Sequence, residues 1–239
     1  WADPGERIFN ARVLAAGPNT FIFPVPSSAI PSAGTFARFR LSQTGGLSYT
    51  GWAPEGEVED YMIDVLGEQE RDFGDAEDDA TRKYPTLLTN NAAAHILGAG
   101  LYLGAGVDPE TDGQPNTTAT GDDNDGNDDE DGVNFTSSLI PGQDATLTVT
   151  ASQTGLLNAW IDLNMDYDWN DAGEQIFTDQ VLTAGPNALT IRLPANIPAA
   201  PLTTTARFRV DSMGGLTPGG VAADGEVEDY QVSILAPEQ

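Results

Sequence analysis

Residues 1–19 read WADPGERIFNARVLAAGPN and residues 169–187 read WNDAGEQIFTDQVLTAGPN. At an offset of 168, 13 of the 26 positions in 1–26 and 169–194 are identical. After a shift of one residue, ARFR at 37–40 matches ARFR at 206–209, GGL at 45–47 matches 214–216, and GEVEDY at 56–61 matches 225–230. Collinear blocks of this kind mean that one structural unit is written twice, and this limits the chain more than any other feature. The first copy begins at the equivalent of Trp169, so it lacks a counterpart to roughly 133–168. The expectation is a piece of a longer array, or a module whose missing half comes from another molecule. Its start has no charged n-region followed by an apolar stretch, which fits a mature chain cut from a larger secreted precursor.

The complete copy reads as short strands between turn signals. They are expected at 133–139, 144–152, 155–163, 175–182, 188–194, 204–211 and 226–235, separated by PG, AGPN, GG and PGG. TLTVT at 146–150 alternates with the period of a half-buried strand. About seven strands in about a hundred residues predict an all-β fold, an antiparallel β-sandwich of Ig-like or jelly-roll-like form. The first copy is expected to keep the last four strands, at 7–14, 20–26, 35–42 and 57–66. Three parts follow: an incomplete module at 1–66, an acidic loop-rich connector at 67–132, and a complete module at 133–239. Within the connector, 86–96 suits a short helix, and Gly98, Gly100, Gly104 and Gly106 prevent a long one.

Charge enters here. The chain has 37 Asp and Glu against 10 Lys and Arg, a net charge of −27. That balance excludes nucleic acid as a partner class, since phosphate binding needs clustered cations. No apolar run is long enough to span a membrane. With no cysteine and one histidine, thiolate sites, disulfides and His-based zinc or Ser-His-Asp chemistry drop out. Seven acids lie in 68–79, seven in 122–131 and five in 162–174. Salt adaptation would disperse them, whereas clustering at turn residues asks for hard cations with oxygen ligands, calcium above all.

Three groups carry the candidate ligands. Asp162, Asn164, Asp166 and Asp168 offer oxygens at alternate positions, followed by Asp171 and Glu174. That spacing resembles an EF-hand calcium loop, with Tyr167 where the glycine belongs; the competing reading is a solvated acidic turn. In GEVEDY, Glu226 and Glu228 continue the core face of a strand with Tyr230, and Asp229 adjoins them. A buried carboxylate pair needs a counter-charge, either a cation or Arg207 or Arg209. Glu57, Glu59 and Asp60 repeat the arrangement beside Arg38 and Arg40. Asp123, Asp125, Asp128, Asp129 and Asp131 lie in a DxDG-type run, either an ion-binding loop or a disordered acidic linker. Paired carboxylates also serve glycosidases, but these sit on recurring modules, so no enzyme activity is expected. The single His95 reads as structural.

GEVEDY in both copies, together with WxDxN…DAGEQIF, resembles the GEVED-domain family of secreted bacterial surface proteins. The stretch from DFGDAEDD to GDDNDGNDDEDGV looks like the segment that commonly precedes that domain. The resemblance implies a secreted or cell-surface, repetitive protein with a structural or adhesive role and no established catalytic residues. The leading expectation is a non-enzymatic, calcium-stabilised extracellular module that assembles with neighbouring copies of the same protein. The alternative is a carbohydrate-binding accessory module of a secreted enzyme, with surface or matrix glycans as partners.

Overall fold

The computed structural model describes residues 1, 3, 5–21, 23–26, 29–65, 67, 69–121, 129–197 and 200–236. The chain divides into two units, Trp1–Glu68 and Gln69–Gln239.

The second unit contains a β-sandwich. One sheet holds β5 (Val133–Phe135), β6 (Asp144–Ala151) and β9 (Gly185–Arg192) in the order β5-β6-β9. The other holds β7 (Gly155–Ile161), β8 (Gln175–Leu182), β10 (Leu202–Asp211) and β12 (Glu226–Ile234) in the order β12-β10-β7-β8. All neighbours in both sheets are antiparallel. Strands one, two and five of the seven share a sheet, and the others form the second, which is the Ig-like arrangement rather than a jelly roll. Between the sheets lie Leu147, Val149 and Ile191 from one side and Leu157, Ile161, Phe208, Val210, Val232 and Ile234 from the other. Burying each of these side chains contributes roughly 1.5–3 kcal/mol.

The larger sheet is covered on its second face as well. There the connector supplies β3 (Arg71–Phe73) and β4 (Ala93–Ile96), and β11 (Gly220–Ala222) completes a small sheet in the order β11-β4-β3. Residues 86–96 therefore form a 3₁₀ turn at Leu88–Asn90 and a strand instead of the expected helix. Two neighbouring strands fix the Ala-rich run in an extended form, and tertiary pairing overrides local propensity. Trp160, Trp169, Tyr84 and Ala76 form a second apolar cluster on this face.

Two arginines of β10 point into that layer and are fully buried. Arg207 binds Asp229 with two bonds, Nε to Oδ1 at 2.7 Å and Nη2 to Oδ2 at 2.6 Å. Its Nη1 donates to the carbonyls of Pro85 and Pro218 at 2.7 and 2.8 Å. Its guanidinium lies 4.7 Å from the Trp169 ring centroid. Gly74 closes over the pair: a Cβ there would stand 2.5 Å from Asp229 Oδ2 and 2.6 Å from Arg207 Nη2.

The first unit repeats this pattern on two strands. β1 (Ser32–Leu41) pairs antiparallel with β2 (Glu57–Val65). Arg38 binds Asp60 through Nε and Nη2, each at 2.7 Å, donates to the Tyr49 carbonyl at 3.1 Å and lies 4.5 Å from the Trp1 ring centroid. Arg40 donates to the carbonyls of Ser48, Thr50 and Gly51, and Arg209 donates to those of Thr217, Gly219 and Gly220. The sequence repeat is thus a repeat of hydrogen bonds.

The described residues of 7–14 and 20–26 form no strand, although strands are expected there. Their counterparts, β8 and β9, pair with β7 and β6, and the first unit contains neither partner. Phe9 packs instead against Phe21 and Phe23, with ring centroids 5.3 and 5.7 Å apart. The face that forms the sandwich core in the second unit is open here: Phe39, Leu41, Tyr61 and Ile63 are 44, 47, 49 and 42% exposed.

Candidate metal centre

The loop between β7 and β8 is built around Asp162. Its Oδ1 accepts the N–H groups of Asn164 and Met165 at 3.1 and 2.6 Å. Its Oδ2 accepts the Tyr167 N–H at 3.1 Å and the Tyr84 hydroxyl at 2.7 Å. These bonds curl the backbone, and Met165 and Tyr167 take left-handed φ values of 63° and 69°. Tyr167 thus adopts the conformation that a glycine supplies in an EF-hand loop. Packing holds it there, with its ring edge-on to Tyr84 and the Arg82 guanidinium 5.4 Å from its centroid.

This curl gathers ligands. One carboxylate oxygen from each of Asp162, Asp166 and Glu174 lies within 4.8 Å of the others. That span is about twice a calcium–oxygen distance of ~2.4 Å. Asn164 Nδ2 donates to Asp166 Oδ2 at 3.0 Å and to Asp171 Oδ2 at 2.5 Å, so a polarised N–H group already bridges two of the acids. Glu174 is buried, and its two oxygens accept the N–H groups of Leu163 and Asp171 at 2.9 and 3.1 Å. Burial, with Asp162 and Asp166 nearby, pushes its carboxyl up to about 7. An all-oxygen donor set with excess negative charge fits a hard divalent cation. Asp168 stands apart from the three converging carboxylates and caps the Asn170 N–H at 2.8 Å.

The GEVEDY strand separates its acids. Glu226 and Glu228 lie on the core face at the end of the sandwich, each 1% exposed. Glu226 Oε2 accepts the Leu103 N–H, and Glu228 Oε1 accepts the Gly132 N–H at 2.7 Å. Gly132 permits that approach, because a Cβ there would stand 2.4 Å from Leu103 Cβ. Asp229 points to the opposite face, where Arg207 is its counter-charge, so it belongs to an ion pair and not to an ion site with its neighbours. The same correction holds in the first unit, where Asp60 is paired with Arg38. Glu57 and Glu59 are exposed there, Glu59 accepts the Tyr61 hydroxyl, and neither joins a converging group among the described residues.

Of the acidic run, Asp123, Asp125 and Asp128 lie outside the described residues. Asp131 Oδ1 accepts the Ala105 N–H at 2.8 Å. Asp129 joins Asp72 and Glu110 in a second convergence of three carboxylates, again within 4.8 Å. Asp72 belongs to the acidic run 68–79, and only folding shows that it faces inward. Glu110 carries no signal in the sequence, since the antiparallel bridge between Arg71 and Glu110 brings it to β3.

No curated protein and no solved structure matches the chain. The GEVED domain model matches residues 156–233, which contain the Asp162–Glu174 loop, the Arg207–Asp229 pair and the strand bearing Glu226 and Glu228. Over that span, from β7 to β12, the chain is similar to a GEVED domain.

Proposed function

We propose that the chain is a calcium-stabilised, non-enzymatic β-sandwich module of an extracellular structural or adhesive protein. The observation that carries the reading is the loop in which Asp162, Asp166 and Glu174 converge, with Asn164 and Asp171 bridged beside them. Calcium there would replace like-charge repulsion with attraction and fix the β7–β8 connection. Weak loop sites of this kind suit the millimolar calcium outside cells. The internal repeat and the open face of β1 and β2 support assembly with neighbouring copies.

The second reading, a carbohydrate-binding accessory module, keeps one observation: Trp52 is 86% exposed. Trp160 offers no such surface, since it is 2% exposed and packs with Tyr84 and Trp169.

The test is a thermal melt of the full chain in chelator and in calcium. Calcium at a hundred times its Kd stabilises by about 2.7 kcal/mol. The melting temperature is expected to rise with calcium, and the Asp166→Asn/Asp171→Asn variant to lose part of that rise. A melt that ignores both calcium and chelator would defeat the proposal.

A further inference from the structure

A second cluster lies where the connector meets the end of the sandwich. Asp72 in β3, Glu110 and Asp129 each bring one carboxylate oxygen within 4.8 Å of the other two. Three backbone contacts hold them: Asp72 Oδ2 accepts the Val227 N–H at 2.6 Å, Glu110 Oε2 accepts the Phe73 N–H at 2.9 Å, and Asp129 Oδ2 accepts the Asp108 N–H at 3.2 Å. Asp72 therefore reaches β12 at the residue next to Glu226.

Glu226 supplies the independent observation. It is 1% exposed, and its Oε1 has no hydrogen-bond partner among the described residues. The charges that act most strongly on it are Glu228, Asp72 and Asp129, all carboxylates. Arg207 is committed to Asp229 on the opposite face of β12, and Arg209 donates to His95 and backbone carbonyls while its charge also acts on Asp72. A buried carboxylate with an idle oxygen beside three more carboxylates is a costly arrangement for a protein without a bound cation.

We infer that Asp72, Glu110, Asp129 and Glu226 form an interior calcium site that clamps the connector onto β12. Its ligands come from four separate stretches of chain: β3, the segment that bridges to it at Glu110, the end of the acidic run, and the GEVEDY strand. The ion would thus act as a tertiary cross-link, unlike the ion of the β7–β8 loop, whose ligands are all local. The site extends the proposed calcium dependence to a place that does not share a ligand with that loop.

The experiment is a calorimetric titration of the chelator-stripped full chain with calcium chloride. Wild type is expected to show two classes of site. Asp166→Asn/Asp171→Asn should remove one class, while Glu226→Gln and Asp72→Asn weaken the other by at least about tenfold and spare the first. Both conservative amides keep an acceptor for the Leu103 or Val227 N–H. In chelator, Glu226→Gln is expected to melt no lower than wild type, because it removes a buried like charge. Unchanged stoichiometry and affinity in both interior variants would overturn the site. A lower melt of Glu226→Gln in chelator would overturn it too, by showing that the carboxylate is held by something other than an ion. Loss of binding only in the loop variant leaves the loop reading standing and rejects this one, and the reverse result does the opposite.

Discussion

Arg209 shows how single residues are reconciled with burial here. Its five N–H donors reach His95 Nε2 at 3.0 Å and the carbonyls of Thr217, Gly219, Ala94 and Gly220 at 2.7, 2.9, 3.3 and 2.8 Å. Burial and the neighbouring Arg207 lower its guanidinium to about 9. A neutral imidazole gives Arg209 an acceptor without adding to the acids around it. His95 can play that part in one tautomer only. Nδ1 lies 2.7 Å from the Asp224 carbonyl, so it carries the proton, and Nε2 is left to accept from Arg209. Protonation at Nε2 would set two donors face to face. Burial and Arg209 accordingly hold His95 well below the ordinary imidazole range. The folded value is depressed, so this contribution to stability is complete above the unfolded value of ~6.5 and is lost as the pH falls below it. Because the chain has one histidine, imidazole NMR reads this site alone. The expected spectrum is that of the Nδ1–H tautomer, with no titration from pH 8 to pH 6 in the folded protein. A titration midpoint near ~6.5 would show the environment to be wrong.

At the scale of elements, what was legible in the sequence depended on how local its cause was. The strands of the complete copy follow from alternation and turn residues, and β6, with buried Ala145, Leu147 and Val149 between exposed or half-exposed Thr, is the clearest. In β10 and β12 alternation fails because both faces are covered, which buries arginines and acids that would normally mark a solvent side. The Ala-rich run at 92–94 gave a helical signal because a short apolar stretch does not fix its own period. The spacing of Asp162, Asn164 and Asp166 pointed to their loop, since its ligands lie close together in the chain. Asp72 and Glu110 were invisible as a pair, since a long-range bridge joins them. The strongest case is 7–14 and 20–26, whose copies are strands only where β6 and β7 exist. Placing a second copy of residues 133–168 ahead of Trp1 should therefore convert these segments to strand. Amide exchange would show new protected N–H groups at the counterparts of β8 and β9. If 7–14 and 20–26 stay unprotected while the added segment folds, their own sequence differences from 175–194 are the cause instead.

For the whole molecule, the acidity and the open face of β1 and β2 act against each other. Phe39, Leu41, Tyr61 and Ile63 line the face that the β5-β6-β9 sheet covers in the second unit, where their counterparts include the fully buried Phe208. Covering that surface with strands of a neighbouring copy would remove apolar area from water in the way strand addition does. A net charge of −27 opposes the approach of two such chains, and salt weakens the opposition as the screening length falls to about 10 Å at 0.1 M. Self-association is therefore expected to grow with both protein concentration and sodium chloride. Surface ion pairing alone would give the reverse salt dependence. Sedimentation velocity at low and high salt separates the two, and Phe39→Glu, which puts a charge into the open face, should return the chain to monomer at high salt. A chain that stays monomeric under all these conditions would remove neighbouring copies as the partner, whatever calcium does to its stability.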